Sequence, residues 1–272
     1  MESLNTNIIK SGALEYLTFK NLSEIKFLRH AFSTRLGGVS EGNIGSMNLS
    51  FHRGDKRENV IKNYEIICKA ARIPTADLVF SKQTHTDNIK AVTKADCGTG
   101  FSKPEFSDID GLITNEPHVA LVTQYADCTP LLFCDPKKRV IGASHSGWRG
   151  TVKQIGRKTV EKMHSEFGCE PSDIIAAVGP CIHSCCYEVD GPVFNEFLNA
   201  GFDTDKIFKE KPNGKYMLDL AFANKLVLLE SGIKEENIEV CDICTSCNSE
   251  ELFSHRVMGN DRGNLAALIE MI

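Results

Sequence analysis

Short apolar runs, each closed off by Pro, Asp, Lys or Gly, set the rhythm of the chain. Gly111–Thr114, Val119–Tyr125, Leu131–Cys134 and Val140–Ser144 have the length and the flanking breakers of buried strands. Lys26–Phe32, Leu78–Ser81, Ile174–Val178, Ile238–Cys241 and Leu265–Ile269 read as further strands. Helical spacing takes over in three places. Lys56–Arg72 predicts a first helix. Val152, Ile155, Thr159, Val160, Met163 and Phe167 recur along one face of a second, Thr151–Phe167, which Gly168 stops. Asp219–Leu229 repeats the pattern with Leu220, Phe222, Ala223, Leu226 and Leu229, and Gly232 ends it. The hairpin-like spacing of runs between Val119 and Ser144 favours an antiparallel or mixed sheet over a doubly wound one. The expected fold class is therefore mixed, α/β or α+β. No repeat, low-complexity tract or linker divides the chain, so residues 1–272 read as a single domain.

With 272 residues, the chain can bury a sizeable core. A net charge of −5 offers no surplus of cations for a phosphate backbone, which excludes nucleic acid as the expected partner. Met1–Lys20 lacks the unbroken apolar stretch of a secretory signal, and no run is long enough to span a bilayer. The expected location is the cytoplasm. There the eleven cysteines stay reduced, and Cys68, Cys97, Cys134 and Cys169 read as small buried hydrophobes.

Candidate chemistry concentrates in three turns. Lys82–Asp87 carries His85, Tyr125–Pro130 carries Asp127 and Cys128, and Ala143–Gly150 carries His145. Each presents one soft or borderline metal ligand at the end of a strand. Two imidazoles and a thiolate fill three corners of a tetrahedron and leave the fourth open, as catalytic zinc sites do. Taken singly, each fits a buried structural residue equally well; the reading rests on their coincidence. In the third turn Gly147 and Gly150 flank Trp148 and Arg149 at a helix start, where backbone N–H groups and a guanidinium can bind an anion. An ordinary strand–helix connection capped by Ser146 is the alternative. Arg35 beside Gly37 and Gly38 has the composition of an anion-binding nest, or of a plain hairpin loop. Cys181, Cys185, Cys186, Cys241, Cys244 and Cys247 gather in two segments, and the Cys244–Cys247 gap is that of a zinc knuckle. They read either as a second metal site or as buried free thiols. His164-Ser165-Glu166 followed by Pro180-Cys181 imitates a zinc-deaminase signature, but Cys185 falls one place late and His164 lies late in its helix.

Together these turns resemble the YfiH family, also called the laccase-domain or multicopper polyphenol oxidase family. The matching segments are Thr34–Ser40 (TRLGGVS), Gln83–His85 (QTH), Asp110-Gly111, Asp127–Pro130 (DCTP) and His145–Gly150 (HSGWRG). Gly179–Ile182, Tyr187–Val189, Cys244–Cys247, Phe253–Arg256 and Arg262–Leu268 follow in family order, so the match runs from about residue 30 to 268. The resemblance implies a mixed sheet layered with helices, like the cytotoxic necrotizing factor catalytic domain. It implies zinc on His85, Cys128 and His145, with copper as the alternative ion. It also implies purine nucleosides and phosphate as partners: phosphorolysis of adenosine, inosine, guanosine and S-methyl-5'-thioadenosine, with adenosine deaminase activity beside it. His255 stands where the family usually has tyrosine, and RGN replaces the frequent TGR, moving Arg262 by two places.

On this reading Arg35, Gly37, Gly38, Gln83, Trp148 and Arg149 bind substrate and phosphate, and Asp127 or Asp87 moves a proton. Two other activities compete. A laccase-like polyphenol oxidase would need several coppers, against eight scattered histidines with no His-x-His pair. A cysteine hydrolase would use Cys128 as nucleophile and His85 or His145 as base.

Overall fold

Runs that are apolar on every position, rather than on alternate ones, belong in sheets covered on both faces, and here they build two such sheets. The computed structural model describes Met1 and residues 3–272. The first sheet has seven strands in the order Thr6–Ser11, Leu14–Phe19, Leu28–Ser33, Leu265–Met271, Ala120–Tyr125, Leu78–Lys82 and Phe106–Ser107. The second has six, in the order Ile238–Val240, Ile175–Val178, Thr129–Asp135, Val140–Ser146, Gly111–Thr114 and Ile89–Ala91. Both are mixed, with parallel pairs at Leu78–Lys82 against Ala120–Tyr125 and at Ile175–Val178 against Ile238–Val240.

Side-chain alternation along these strands fixes the layering. Phe19, Phe32, Leu121, Ala267 and Ile269 of the first sheet meet Leu132, Cys134, Ile141 and Ala143 of the second in one inner core. The opposite face of the first sheet, with Ala31, Val122 and Leu268, packs under the Arg57–Ala71 helix through Val60, Tyr64 and Ile67. Leu131, Phe133 and Val178 of the second sheet pack on the Ile155–Phe167 and Leu220–Glu230 helices. The fold is a mixed α/β sandwich, helix on sheet on sheet on helices. No helix among the described residues is long and apolar enough to cross a membrane.

Three expectations need correction. The run Val119–Tyr125 does not form a hairpin with the next run. Ala120–Tyr125 pairs with Leu265–Met271 in one sheet, and Thr129–Asp135 pairs with Val140–Ser146 in the other. The turn between them crosses the sandwich, and Asp127 makes that corner at φ 82°. The helix expected over Thr151–Phe167 is two helices, Trp148–Val152 and Ile155–Phe167, because Gln154 takes the left-handed conformation at φ 57°. Ser146 is no cap either: its hydroxyl bonds Asn224 at 2.7 Å and Thr151 at 3.0 Å. Apolar spacing did not reveal the Thr6–Ser11/Leu14–Phe19 hairpin, the Gly191–Asn199 helix or a small sheet of Glu188–Val189, Tyr216–Leu218 and Phe208–Glu210. Cys68, Cys134 and Cys169 are buried, and Cys97 is half-buried.

Glu270 lies in the fully buried Leu265–Met271 strand. Burial, reinforced by Asp77, pushes its carboxyl up, and Arg29 at 3.7 Å offsets part of this. The folded protein therefore holds a proton that the unfolded chain releases above pH ~4.3. That contribution is present below the unfolded pKa and is lost as pH rises through the folded one. Glu270→Gln is expected to gain about 1–2 kcal/mol on the parent between pH 5 and pH 8, measured by urea unfolding. A parent that gains on the variant over that range would contradict this.

Candidate metal centre

Three segments converge where strand ends of the two sheets meet. His85 follows the Leu78–Lys82 strand and takes φ 63°, a conformation uncommon for a residue with a Cβ. Cys128 follows the crossing corner at Asp127. His145 sits near the end of the Val140–Ser146 strand, where its side chain is buried. Cys128 Sγ lies 3.8 Å from His85 Nε2, and the candidate ligand atoms of all three residues lie within 4.8 Å of one another. An ion held tetrahedrally by one sulfur at about 2.3 Å and two nitrogens at about 2.0–2.1 Å would space its ligands at roughly 3.5 Å. The cluster fits such an ion.

Its electrostatics fit as well. Burial alone would raise the Cys128 thiol, but the charge and hydrogen bonding of His145 and His85 bring it down to about 6. Burial would lower His145, yet the Cys128 thiolate and the Asp110 carboxylate raise it to about 9. These are the properties of a thiolate ready to ligate and an imidazole oriented by a carboxylate.

Asp110 is the organiser of the site, and nothing in the spacing of its neighbours marked it. Its Oδ1 accepts from His145 Nδ1 at 2.8 Å and from the His85 backbone N–H at 3.1 Å. Oδ2 accepts from the Thr84 and Thr86 backbone N–H groups at 3.1 and 2.8 Å, and from Thr86 Oγ1 at 2.7 Å. One carboxylate thus fixes the ring of one candidate ligand and the backbone of another. Burial works against its charge, but these donors hold its carboxyl at about 2.

Gly147 leaves room for the cluster. A Cβ on it would stand 2.8 Å from Cys128 Sγ and 3.1 Å from His85 Cδ2, so any side chain would intrude on the cluster. The helix that starts at Trp148 is only five residues long. The turn is braced from behind, where Thr151 Oγ1 donates to Gly147 O at 3.0 Å and Asn224 Nδ2 donates to Thr151 Oγ1 at 3.1 Å.

The cluster opens into a cleft of about 700 Å³, lined in part by Arg53, Gln83, Trp148, Arg149, Tyr187 and Arg262. The Arg149 guanidinium lies over the Trp148 ring at 4.2 Å. Gln83 is at the wall, but its amide is spent on the backbone of Gln124, donating to O at 2.9 Å and accepting from N at 2.7 Å. Arg262 lines the cleft despite its displaced motif. It is buried, with Nε unpartnered among the described residues, and burial lowers its pKa to about 10. Arg53, half-buried on the same cleft, was not legible in the sequence, since a lone arginine in a loop has no periodicity to mark it.

Other sequence candidates lie elsewhere. Arg35 spends its guanidinium on the carbonyls of Gly45 and Ser249, at 2.8–3.0 Å, and stacks on Phe253. Gly37 and Gly38 are needed for close backbone packing: a Cβ would stand 2.3 Å from Leu14 Cα and 2.2 Å from Ser46 O. The loop is therefore a close backbone crossing with its arginine already paired, not an anion-binding nest. Asp87 pairs with Lys153 and Lys158 away from the cleft. Asp127 does face the cleft, but its oxygens accept from Thr245 Oγ1 and from Arg256 N, each at 2.6 Å. These contacts tie down the turn that leads into Cys128.

Comparison with known proteins follows the same lines. The family model described as multi-copper polyphenol oxidoreductase laccase matches residues 29–272. The purine nucleoside phosphorylase YlmD of Bacillus subtilis is 37% identical over 88% of this chain and 87% of its own. A purine nucleoside phosphorylase of Bacteroides thetaiotaomicron is 34% identical over 92% of this chain and 93% of its own. The crystal structure of Bacillus licheniformis YfiH superposes with a TM-score of 0.92 at 32% identity, over 97% of this chain and 99% of that one.

Proposed function

The chain belongs to the multi-copper polyphenol oxidoreductase laccase family, and from that premise we propose that it is a purine nucleoside phosphorylase working at a zinc centre. Its substrates are adenosine, inosine, guanosine and S-methyl-5'-thioadenosine, and it also deaminates adenosine. One observation carries the proposal: two imidazoles and a thiolate cluster in a cleft that also presents Arg53, Arg149 and Arg262. Relatives named purine nucleoside phosphorylase support it.

His85, Cys128 and His145 would hold the ion, which supplies a Lewis acid when bound. The chain's own side chains do the rest. In phosphorolysis a phosphate oxygen bonds to the anomeric carbon while the N-glycosidic electron pair leaves on the purine. Arg149 holds the phosphate, which it can meet through paired N–H donors, and Arg262 adds its positive charge, its Nη1 being taken by Gly263 O and Asn264 Oδ1. Trp148 and Tyr187 supply flat walls for the base. Asp110 keeps His145 in the tautomer that carries its proton on Nδ1, leaving Nε2 free to ligate.

A cysteine hydrolase reading has its own support, since Cys128, His145 and Asp110 are arranged like a nucleophile, base and orienting acid. It gives no role to His85, 3.8 Å from the same sulfur. The polyphenol oxidase reading is weaker. Of the eight histidines only His85 and His145 share a ligand cluster with Cys128.

The test is incubation of the zinc-loaded protein with each nucleoside and phosphate, followed by chromatography. Free base with ribose 1-phosphate (or its methylthio analogue) is expected, and inosine from adenosine without phosphate. Absence of all these products, or full activity after chelation, would overturn the reading. Arg149→Ala is expected to raise the KM for phosphate by roughly tenfold or more while moving the nucleoside KM little. An unchanged phosphate KM would remove Arg149 from that role.

A further inference from the structure

We propose that Cys185, Cys186, Cys244 and Cys247 form a second metal site, a four-thiolate zinc knuckle that holds the loop carrying Cys128 in place. Two distant segments meet there. Cys181 and Cys244 form a parallel bridge, and Thr245 N donates to Cys181 O at 2.9 Å. The four sulfurs lie within 4.8 Å of one another, with Cys247 Sγ 3.5 Å from Cys185 Sγ and 3.4 Å from Cys186 Sγ. A disulfide would bring one pair to about 2.05 Å and leave two thiols out. Four sulfurs around one centre at this separation instead match a tetrahedral ion with Zn–S bonds of about 2.3 Å, whose sulfurs stand roughly 3.8 Å apart. The two-residue gap between Cys244 and Cys247 is a common spacing for such sites.

The surroundings suit a thiolate cluster, which carries surplus negative charge. His183 N–H points at Cys244 Sγ at 3.4 Å, and the Arg256 guanidinium donates to Cys186 O at 2.9 Å. No ligand is shared with the cleft cluster.

The knuckle also explains what Asp127 is for. Thr245, between two of the four cysteines, donates to Asp127 Oδ1. Arg256, tied to Cys186, donates its backbone N–H to Oδ2. Ile182 N donates to Asp127 O at 3.0 Å. Two of these three contacts on the residue before Cys128 thus come from the segments that the four thiolates would join, and the third comes from a residue hydrogen-bonded to one of them. Cys185, Cys186, Cys244 and Cys247 are positioning residues on this account, acting on the cleft through Asp127.

Metal analysis of the purified full chain tests it. The wild type is expected to carry about two equivalents of zinc, and Cys128→Ser and Cys247→Ser about one each. Cys247→Ser should also bind the cleft ion more weakly, by tenfold or more in a chelator competition. Because Cys247→Ser could fail to fold, cobalt-substituted Cys128→Ser supplies the second measurement, with the knuckle intact. It should show strong thiolate-to-cobalt charge-transfer bands and tetrahedral d–d absorption. No metal in Cys128→Ser, a cobalt derivative of that variant without thiolate charge-transfer bands, or a disulfide among the four cysteines by mass spectrometry would each overturn the proposal.

Discussion

Cys128→Ser is expected to remove the metal from the cleft and to lower phosphorolysis by at least about 10³-fold, with the fold intact. The argument is one of ligand chemistry. A thiol brought down to about 6 is largely thiolate at neutral pH. A serine hydroxyl of nearly the same shape stays protonated and is a poor ligand. His85 and His145 remain, and two imidazoles alone hold zinc far less tightly than three ligands do. Activity should therefore return in part at high zinc concentration, because mass action can refill a weakened site. A nucleophilic cysteine predicts the opposite: the serine variant keeps its metal content, and added zinc restores nothing. Zinc content and initial rates, measured on the same preparations, separate the two.

Much of the sandwich was legible because its central strands are covered on both faces and so read as unbroken apolar runs. Leu131–Cys134 and Val140–Ser144 lie within observed strands, and Lys56–Arg72 contains the observed helix, whose end Arg72 marks at φ 59°. What escaped was conformation that side-chain pattern does not encode. Val152 and Ile155 keep helical spacing across the break at Gln154, so the left-handed residue between them gave no signal. The change of sheet at Asp127 was hidden for a similar reason: a short turn between two strands looks the same whether they pair or part. The ligand candidates were legible by type, as imidazole and thiol at strand ends. The glycines beside Arg35 misled, since composition cannot tell a nest from a backbone crossing too close to admit a Cβ. Asp110 has no periodicity or ligand chemistry to mark it, although an aspartate opening a buried strand is a polar group that must be satisfied.

Asp110→Asn is expected to weaken the cleft metal by roughly 10–100-fold and to cost about 2–4 kcal/mol of stability. An amide has one acceptor oxygen where the carboxylate has two. Turned one way, its NH₂ faces the backbone N–H groups of Thr84 and Thr86; turned the other, it faces His145 Nδ1 and His85 N. Either orientation sets donor against donor, and no rotation relieves both. In the second, His145 must give up its Nδ1 proton and carry it on Nε2, the nitrogen the metal needs. The pH dependence has a definite sign. Asp110 is held at about 2 in the folded protein, against ~3.9 unfolded, so its contribution is complete above pH 4 and lost as pH falls towards 2. The stability gap between the metal-free parent and the variant should therefore be full at pH 6 and narrow below pH 4. Denaturant unfolding of the two apoproteins reads that gap directly. A gap that persists unchanged at low pH would show that Asp110 acts through packing, not through its charge on the ligands.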